Sequence, residues 1–297
     1  MIKGLVCGYS TKFFSNISRS LRFIDYAKYY LNYCFKKTKF MCLLLIANNI
    51  HPNYKLIVAA NRDEFYNRPA QKAAFWKDQP DLLAGKDFEA GGTWLGVTQS
   101  GKFSAITNYR DFNRKIKQNA PTRGNLTADF LLGNDNPEKY SEMLQEKHTE
   151  YNGYNLVYGS INELYYYSNE TNLVVKLEPG LYGLSNALLN SPWPKVTESK
   201  KYVSELISSG DVSKEKLFKI LADKTTADDD QLPDTGIGPE REKALSSNFI
   251  ETPQYGTRCS TVILIDKDDK ISFTERTFNQ NNEQYSDVNF EFNLEKK

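Results

Sequence analysis

The sequence predicts an α+β fold in which helices are segregated onto the outer faces of largely antiparallel sheets. Two observations carry this expectation. Four pairs of short apolar runs are each joined by a turn-rich connector, and stretches of helical period cluster between those pairs instead of alternating with single strands.

The first pair is "CLLLIANN" with "YKLIVAAN" across "IHPN", which reads as a β-hairpin. "TWLGV" and "KFSAITN" flank "TQSG" in the same way. Helical period follows in "NLTADFLL" and "PEKYSEMLQEKH". "NLVYGS" with "ELYYYSN" forms the third pair. The next helices are expected at "ESKKYVSELISS" and "SKEKLFKILAD", where Leu217, Ile220 and Leu221 recur at i, i+3 and i+4 behind the cap candidate Ser213. "TTADDDQLPDTGIGPEREKALSS" is rich in Asp, Pro and Gly and reads as a long loop of the kind that forms lids or rims. "STVILID" and "KISFTERTF" across "KDDK" close the series.

With 297 residues, 40 % hydrophobic and 25 % charged, the chain has the composition of an ordinary globular protein. Its net charge of +1 hides an asymmetry: residues 1–40 carry eight Lys and Arg against the single Asp25, leaving the remainder at −6. The body therefore has no basic surplus for nucleic acid. We divide the chain into a basic extension, residues 1–40, and one domain, residues 41–297. The extension has the composition of a transit peptide; a propeptide and an exposed amphipathic helix are alternatives, and translation from a start upstream of Met41 is the favoured one. A cytoplasmic location is expected, or a mitochondrial one if residues 1–40 are a transit peptide.

Four cysteines, Cys7, Cys34, Cys42 and Cys259, are too few and scattered for a disulfide framework, which points to a reducing compartment. With His51 and His148 alone and no CxxC or HExxH pattern, no metal site and no cofactor is expected. The Asp228–Asp230 run and "DKDDK" lack EF-hand spacing, and "GGTWLG" lacks the ending of a phosphate loop. Trp94 and Trp193 are read as core. No apolar run reaches the about 18 residues that a transmembrane helix needs.

If the first hairpin turns near Pro52, Cys42 lies across from Asn61 and next to Arg62 and Asp63. A guanidinium beside a thiol favours the thiolate, and a carboxylate such as Asp63 orients the guanidinium or an amine. The same residues also read as a small buried thiol beside a structural ion pair. Cys42 follows Met41, however. Removal of that methionine would make Cys42 the chain terminus, and its α-amine, with a reference pKa near 7.7 to 8.0, a general base for its own thiol.

The chain resembles the NRDE family, also called the transport and Golgi organization 2 family, in a series of stretches: "MCLLLIANN", "ANRDEFYNRP", "GGTWLGV", "TNYRD", "GLSNALLNSPWPKV", "LPDTGIGPEREKALSS" and "YGTRCSTVILID". Sequences of that family look like N-terminal nucleophile (Ntn) hydrolases. The resemblance implies a four-layer αββα Ntn fold, with Cys42 as nucleophile, Arg62 as its positioning partner, and Asp63 or Glu64 holding the amine or substrate. It also places Asn186 in "GLSN" as an oxyanion donor. Asn108, opposite Gly91 if the second hairpin turns on "TQSG", is the other donor candidate. Turn chemistry is the alternative for both asparagines. Arg258 in "YGTRC" is a candidate clamp for a substrate carboxylate or phosphate, or an ordinary surface arginine.

Two functions follow. One is a cysteine Ntn hydrolase that cleaves a linear amide C–N bond through an acyl-enzyme on Cys42. The other, by family resemblance, is a carrier or trafficking protein for haem or a lipid or acyl-CoA type ligand. An interaction scaffold with a purely structural charged cluster is the plainer alternative to both. The expected partner is a small acyl amide or amphipathic ligand.

Overall fold

Strand β1 (Cys42–Asn48) reads as an unbroken apolar run because both of its faces are covered. Leu44 and Ile46 point into one apolar cluster and Leu43, Leu45 and Ala47 into another. The computed structural model describes residues 42–279 and 284–295. The expectations for residues 1–40 fall outside those residues.

The remaining strands are β2 (Tyr54–Phe65), β3 (Ala70–Trp76), β4 (Gln79–Asp87), β5 (Leu95–Thr98), β6 (Lys102–Asn108), β7 (Tyr154–Ser160), β8 (Glu163–Ser168), β9 (Leu173–Leu177), β10 (Gly180–Leu184), β11 (Tyr255–Asp266), β12 (Lys270–Phe278) and β13 (Tyr285–Asn293). One sheet has the order β10-β1-β2-β11-β12-β13, the other runs in sequence from β3 to β9, and neighbouring strands are antiparallel. All four expected hairpins are present, as β1–β2, β5–β6, β7–β8 and β11–β12.

Between the sheets lies the largest cluster, including Leu44, Ile46, Val58, Leu83, Val97, Phe103, Val157, Ile263 and Phe273. The outer face of the six-stranded sheet is covered by α3 (Pro194–Ser208) and α4 (Lys214–Leu221), through Val196, Val203, Leu217, Phe218 and Leu221. The outer face of the other sheet is covered by α1 (Gly124–Leu132) and α2 (Pro137–Glu146), whose Leu126, Phe130, Tyr140 and Leu144 pack on Tyr154, Leu156, Tyr158 and Tyr167. The result is the four-layer αββα arrangement that the family resemblance implies. Ser213 caps α4 as expected, its hydroxyl accepting from Lys216 N at 3.4 Å.

The structure departs from the sequence reading at several elements. The β3–β4 hairpin is interrupted by irregular register, so no clean apolar alternation marks it. On the edge strand β13, Val288, Phe290 and Phe292 face the core between exposed polar residues. Residues 225–247 are not loop throughout: they hold a 3₁₀ turn, Asp229–Gln231, and the short helix α5 (Pro239–Ala244), which starts with proline at a position needing no N–H donor.

Candidate active site

The β1–β2 ladder sets the site. Cys42 pairs directly with Arg62, one residue from the expected Asn61, so these two side chains share the face that looks toward the second sheet. Asn61 alternates to the opposite face, where its amide donates to Leu221 O and Asn248 O at 2.8 Å each. On the other flank of β1, Leu44 pairs with Leu184 of β10. Continuing that register two residues brings Asn186 beside Cys42. Cys42 N–H donates to Asn186 Oδ1 at 3.3 Å, and Ser185 Oγ donates to Cys42 O at 2.8 Å.

Arg62 is buried with its guanidinium carbon 4.3 Å from the Trp94 ring centroid. Its Nη2 lies 3.7 Å from Glu64 Oε2 and 3.6 Å from Asp87 Oδ2. Arg68 completes this lattice, with Nε 2.7 Å from Asp87 and 3.5 Å from Glu64. Burial nevertheless pushes Glu64 up to about 7, against the pull of Arg62, of the Phe65 N–H and of Arg68.

Asp63 points the other way, toward α3. Thr257 Oγ1 donates to its Oδ1 at 2.6 Å, and Tyr255 OH donates to its carbonyl at 2.9 Å. Lys195, buried on α3, is its charge partner: burial raises the Asp63 carboxyl and lowers the Lys195 amine, and their mutual attraction opposes both shifts. The Asp63 N–H faces the Cys42 sulfur. That hydrogen bond and the Arg62 charge favour the thiolate, but burial and the Asp63 carboxylate outweigh them and push the thiol up to about 12. The pull of Arg62 thus has the sign expected of a positioning partner, and burial is the larger influence on the thiol.

Cys42, Arg62, Asp63, Glu64 and Asn108 line one cleft of about 230 Å³, together with Arg68, Asp87, Trp94 and Arg123. Asn108 is not opposite Gly91. Strand β5 begins at Leu95, paired with Ala105, so the ladder never reaches Gly91, and Asn108 pairs with Tyr154 of β7. Asn186 is fully buried behind Cys42, and its Nδ2 donates to Asn108 O at 2.8 Å, linking the two asparagines.

Arg258 is absent from the cleft lining. The β2–β11 ladder shifts register between Thr257 and Cys259, so Arg258 is the extra residue of a bulge. Its Nη1 donates to Phe65 O at 2.7 Å and Arg68 O at 3.1 Å, so it braces the end of β2. Among the described residues no group of three or more His, Cys, Asp and Glu side chains is placed to hold a metal ion. His51 sits at the far end of the β1–β2 hairpin from Cys42, its Nδ1 accepting from Asn53 N at 3.1 Å.

The model of the family described as "Transport and Golgi organisation 2" matches residues 41–280. A "Transport and Golgi organization protein 2 homolog" of Bos taurus is 39 % identical over 259 residues, covering 80 % of this chain and 93 % of that one. The chain belongs to the transport and Golgi organisation 2 family. The Homo sapiens homolog is 37 % identical over 259 residues, with the same 80 % and 93 % coverage, and the Drosophila melanogaster member 30 % over 262 residues, with 80 % and 92 %. Among solved structures, a conjugated bile acid hydrolase from Clostridium perfringens is similar at 10 % identity and TM-score 0.45, covering 85 % of this chain and 92 % of that one. An N-acylethanolamine-hydrolyzing acid amidase ortholog of Caenorhabditis elegans is similar at 8 % identity and TM-score 0.41, covering 75 % and 92 %.

The stretches that carry the family resemblance meet behind the cleft. Arg110 of "TNYRD" pairs with Glu242 of "GPEREKALSS" at 2.8 Å and lies 4.5 Å over the ring of Trp193 from "SPWPK". Thr235 of "LPDTG" donates to Glu242 Oε1 through its N–H at 2.8 Å and its hydroxyl at 2.6 Å. Arg110 N in turn donates to Asn186 O at 2.7 Å, tying this buried group to the residue that holds Cys42. Sequence reasoning missed Arg68, Asp87, Arg110, Arg123, Lys195 and Glu242; Trp94 and Trp193, read as core, do pack against the core clusters and also carry the stacked guanidinium groups of Arg62 and Arg110. Arg68, Arg110, Lys195 and Glu242 stand inside the quoted stretches, so their signal was on hand; Asp87 and Arg123 carry none.

Proposed function

We propose that the cleft is the acylation site of a cysteine Ntn hydrolase acting on a linear amide C–N bond. The observation that carries this reading is the hydrogen bond from Cys42 N to the buried Asn186 Oδ1, on the same residue whose sulfur faces Asp63 N–H in the cleft. In a chain that begins at Cys42 that nitrogen is an amine held beside its own thiol. The amine accepts the thiol proton and the sulfur bonds to the carbonyl carbon. The C–N bond breaks as the ammonium passes that proton to the leaving nitrogen, and water then hydrolyses the thioester. Asn186 orients the amine, Arg62 and Glu64 border the reacting group, and Asn108 with the Asp63 N–H takes the oxyanion. A chain confirmed by intact mass to start at Cys42 should gain one acyl group on that residue when mixed with a panel of acyl amides, and Cys42→Ser should gain none as a thioester. Neither adduct nor turnover across the panel would overturn the reading.

A second reading applies when Cys42 N is part of a peptide bond and cannot accept the thiol proton. The cleft then serves a carrier of an amphipathic ligand such as haem or a lipid or acyl-CoA type molecule, in keeping with the transport named in the family description. Ligand binding without any product distinguishes it.

A further inference from the structure

Three guanidinium groups line the cleft, and they differ in how they are compensated. Arg62 is near Glu64 and Asp87, and Arg68 is near Glu64, Asp87 and Glu89. Arg123 pairs with no carboxylate among the described residues; its Nη1 donates to one neutral acceptor, Gly153 O, at 3.0 Å. A guanidinium has five donors, so a single carbonyl leaves most of its capacity directed elsewhere. The residue is held firmly. Thr93 N donates to Gly124 O at 3.2 Å, and Gly92 packs so closely on the start of α1 that a Cβ there would sit 2.4 Å from Gly124 C. Gly92 and Thr93 precede Trp94, on which Arg62 stacks, so Arg123 is tied to the wall that carries the positioning arginine.

Burial lowers the Arg123 guanidinium to about 10, and interactions with Cys42 and then Glu64 oppose that shift. It remains a cation at neutral pH, and it lines the same cleft as Cys42.

We infer that Arg123 is a substrate-binding residue that receives an anionic group, so the molecules taken by this cleft are acyl amides that also carry a carboxylate or a phosphate. The inference rests on the amidohydrolase reading for the amide, and on Arg123 alone for the anion. Arginine forms two parallel bonds to either oxyanion, and a ligand of that kind supplies the direct ion pair that Arg123 does not make among the described residues. A neutral amide of the same size gives up that pairing.

Isothermal titration calorimetry on the full chain tests it, with N-hexanoylglycine, its uncharged analogue N-hexanoylglycinamide, and hexyl phosphate as probes. The charged amide is expected to bind on the order of tenfold or more tightly than the neutral one, the usual scale of a hydrogen bond to a charged group. Arg123→Gln should remove that preference while Arg123→Lys keeps part of it. Hexyl phosphate binding better than N-hexanoylglycine assigns the anion as a phosphate, and the reverse order assigns a carboxylate. Equal affinity of the wild-type chain for the charged and neutral amides would overturn the inference whatever the variants do. So would an undiminished preference in Arg123→Gln. Selective binding of the charged amide with no hydrolysis in a chain that starts at Cys42 removes the amidohydrolase reading and leaves the anion site standing.

Discussion

Cys42 lies directly across from Arg62 in the β1–β2 ladder, and the Arg62 guanidinium stacks on Trp94 at 4.3 Å. Paired residues of an antiparallel ladder point to the same face, so the thiol and the guanidinium are held together by backbone geometry instead of by a flexible loop. Arg62 in turn depends on Glu64 and Asp87 for its countercharge, and those carboxylates are held by Arg68. The protonation of Glu64 therefore reaches the position of Arg62.

Glu64 makes the protein less stable as pH rises. Its folded-state value near 7 stands above the ordinary 4.5, so folding favours the protonated form. The stabilisation from that proton is full below 4.5 and is lost as pH rises through 7, at a cost of about 3 kcal/mol for this group. Glu64→Gln should flatten the decline between those limits in urea denaturation. A wild-type stability that climbs across the window, or one that the variant leaves unchanged, contradicts the assignment.

Arg62→Ala is expected to cost about 3 kcal/mol at pH 8, where it strands an ionised Glu64 in a buried site. At pH 5.5 Glu64 is protonated and the cost should shrink toward the lost stacking on Trp94 and the lost pairing with Asp87, about 1 to 2 kcal/mol. Arg62→Lys keeps the charge without the planar stack and should fall between the two. Equal costs at both pH values would mean that Arg62 serves packing alone.

The strands buried on both faces were the most legible part of the fold, because a run such as "CLLLIAN" has few other homes. Register was less so. A turn centred on Pro52 gives Cys42 opposite Arg62, and moving that centre by half a residue substitutes Asn61 and turns the wrong side chain toward the thiol. Arg258 shows the complementary limit: one bulge residue removes it from the cleft, and nothing in "YGTRC" marks the bulge. The buried Arg110–Glu242 ion pair and the mutual attraction of Asp63 and Lys195 join positions far apart in the chain, so only the packed fold brings their charges near each other.

Arg258→Ala should destabilise the chain by about 1 to 2 kcal/mol, since it leaves the carbonyls of Phe65 and Arg68 without that donor. It should leave affinity for N-hexanoylglycine within about twofold. A large loss of affinity at unchanged stability would return Arg258 to the binding site.

Asn186 separates holding the amine from holding the fold. Asn186→Ala removes both the acceptor for Cys42 N and the donor to Asn108 O, and should cost about 2 kcal/mol in stability together with most acylation of Cys42. Asn186→Asp keeps an acceptor suited to an ammonium group and loses the donor. Acylation should recover in the Asp variant of a chain that starts at Cys42 although stability does not. Equal loss of acylation in both variants would leave Asn186 a structural residue only.

The pH dependence of alkylation at Cys42 decides between the two chemical states of its nitrogen. When the nitrogen is in a peptide bond its lone pair is delocalised, so no base is beside the sulfur and the thiol keeps its raised value of about 12. Iodoacetamide should then label Cys42 about 10²- to 10³-fold more slowly at pH 7.5 than an ordinary cysteine, with a rate still climbing above pH 9. When the chain starts at Cys42, the amine accepts the proton, and labelling should rise through an inflection near the amine's reference value of about 7.7 to 8.0 and then level off. Peptide mapping reads Cys42 apart from the buried Cys259, whose thiol burial also raises. Identical slow profiles from both forms of the chain would mean that the amine does not reach the thiol. The N-terminal nucleophile mechanism would then fail and the carrier would be the function to pursue.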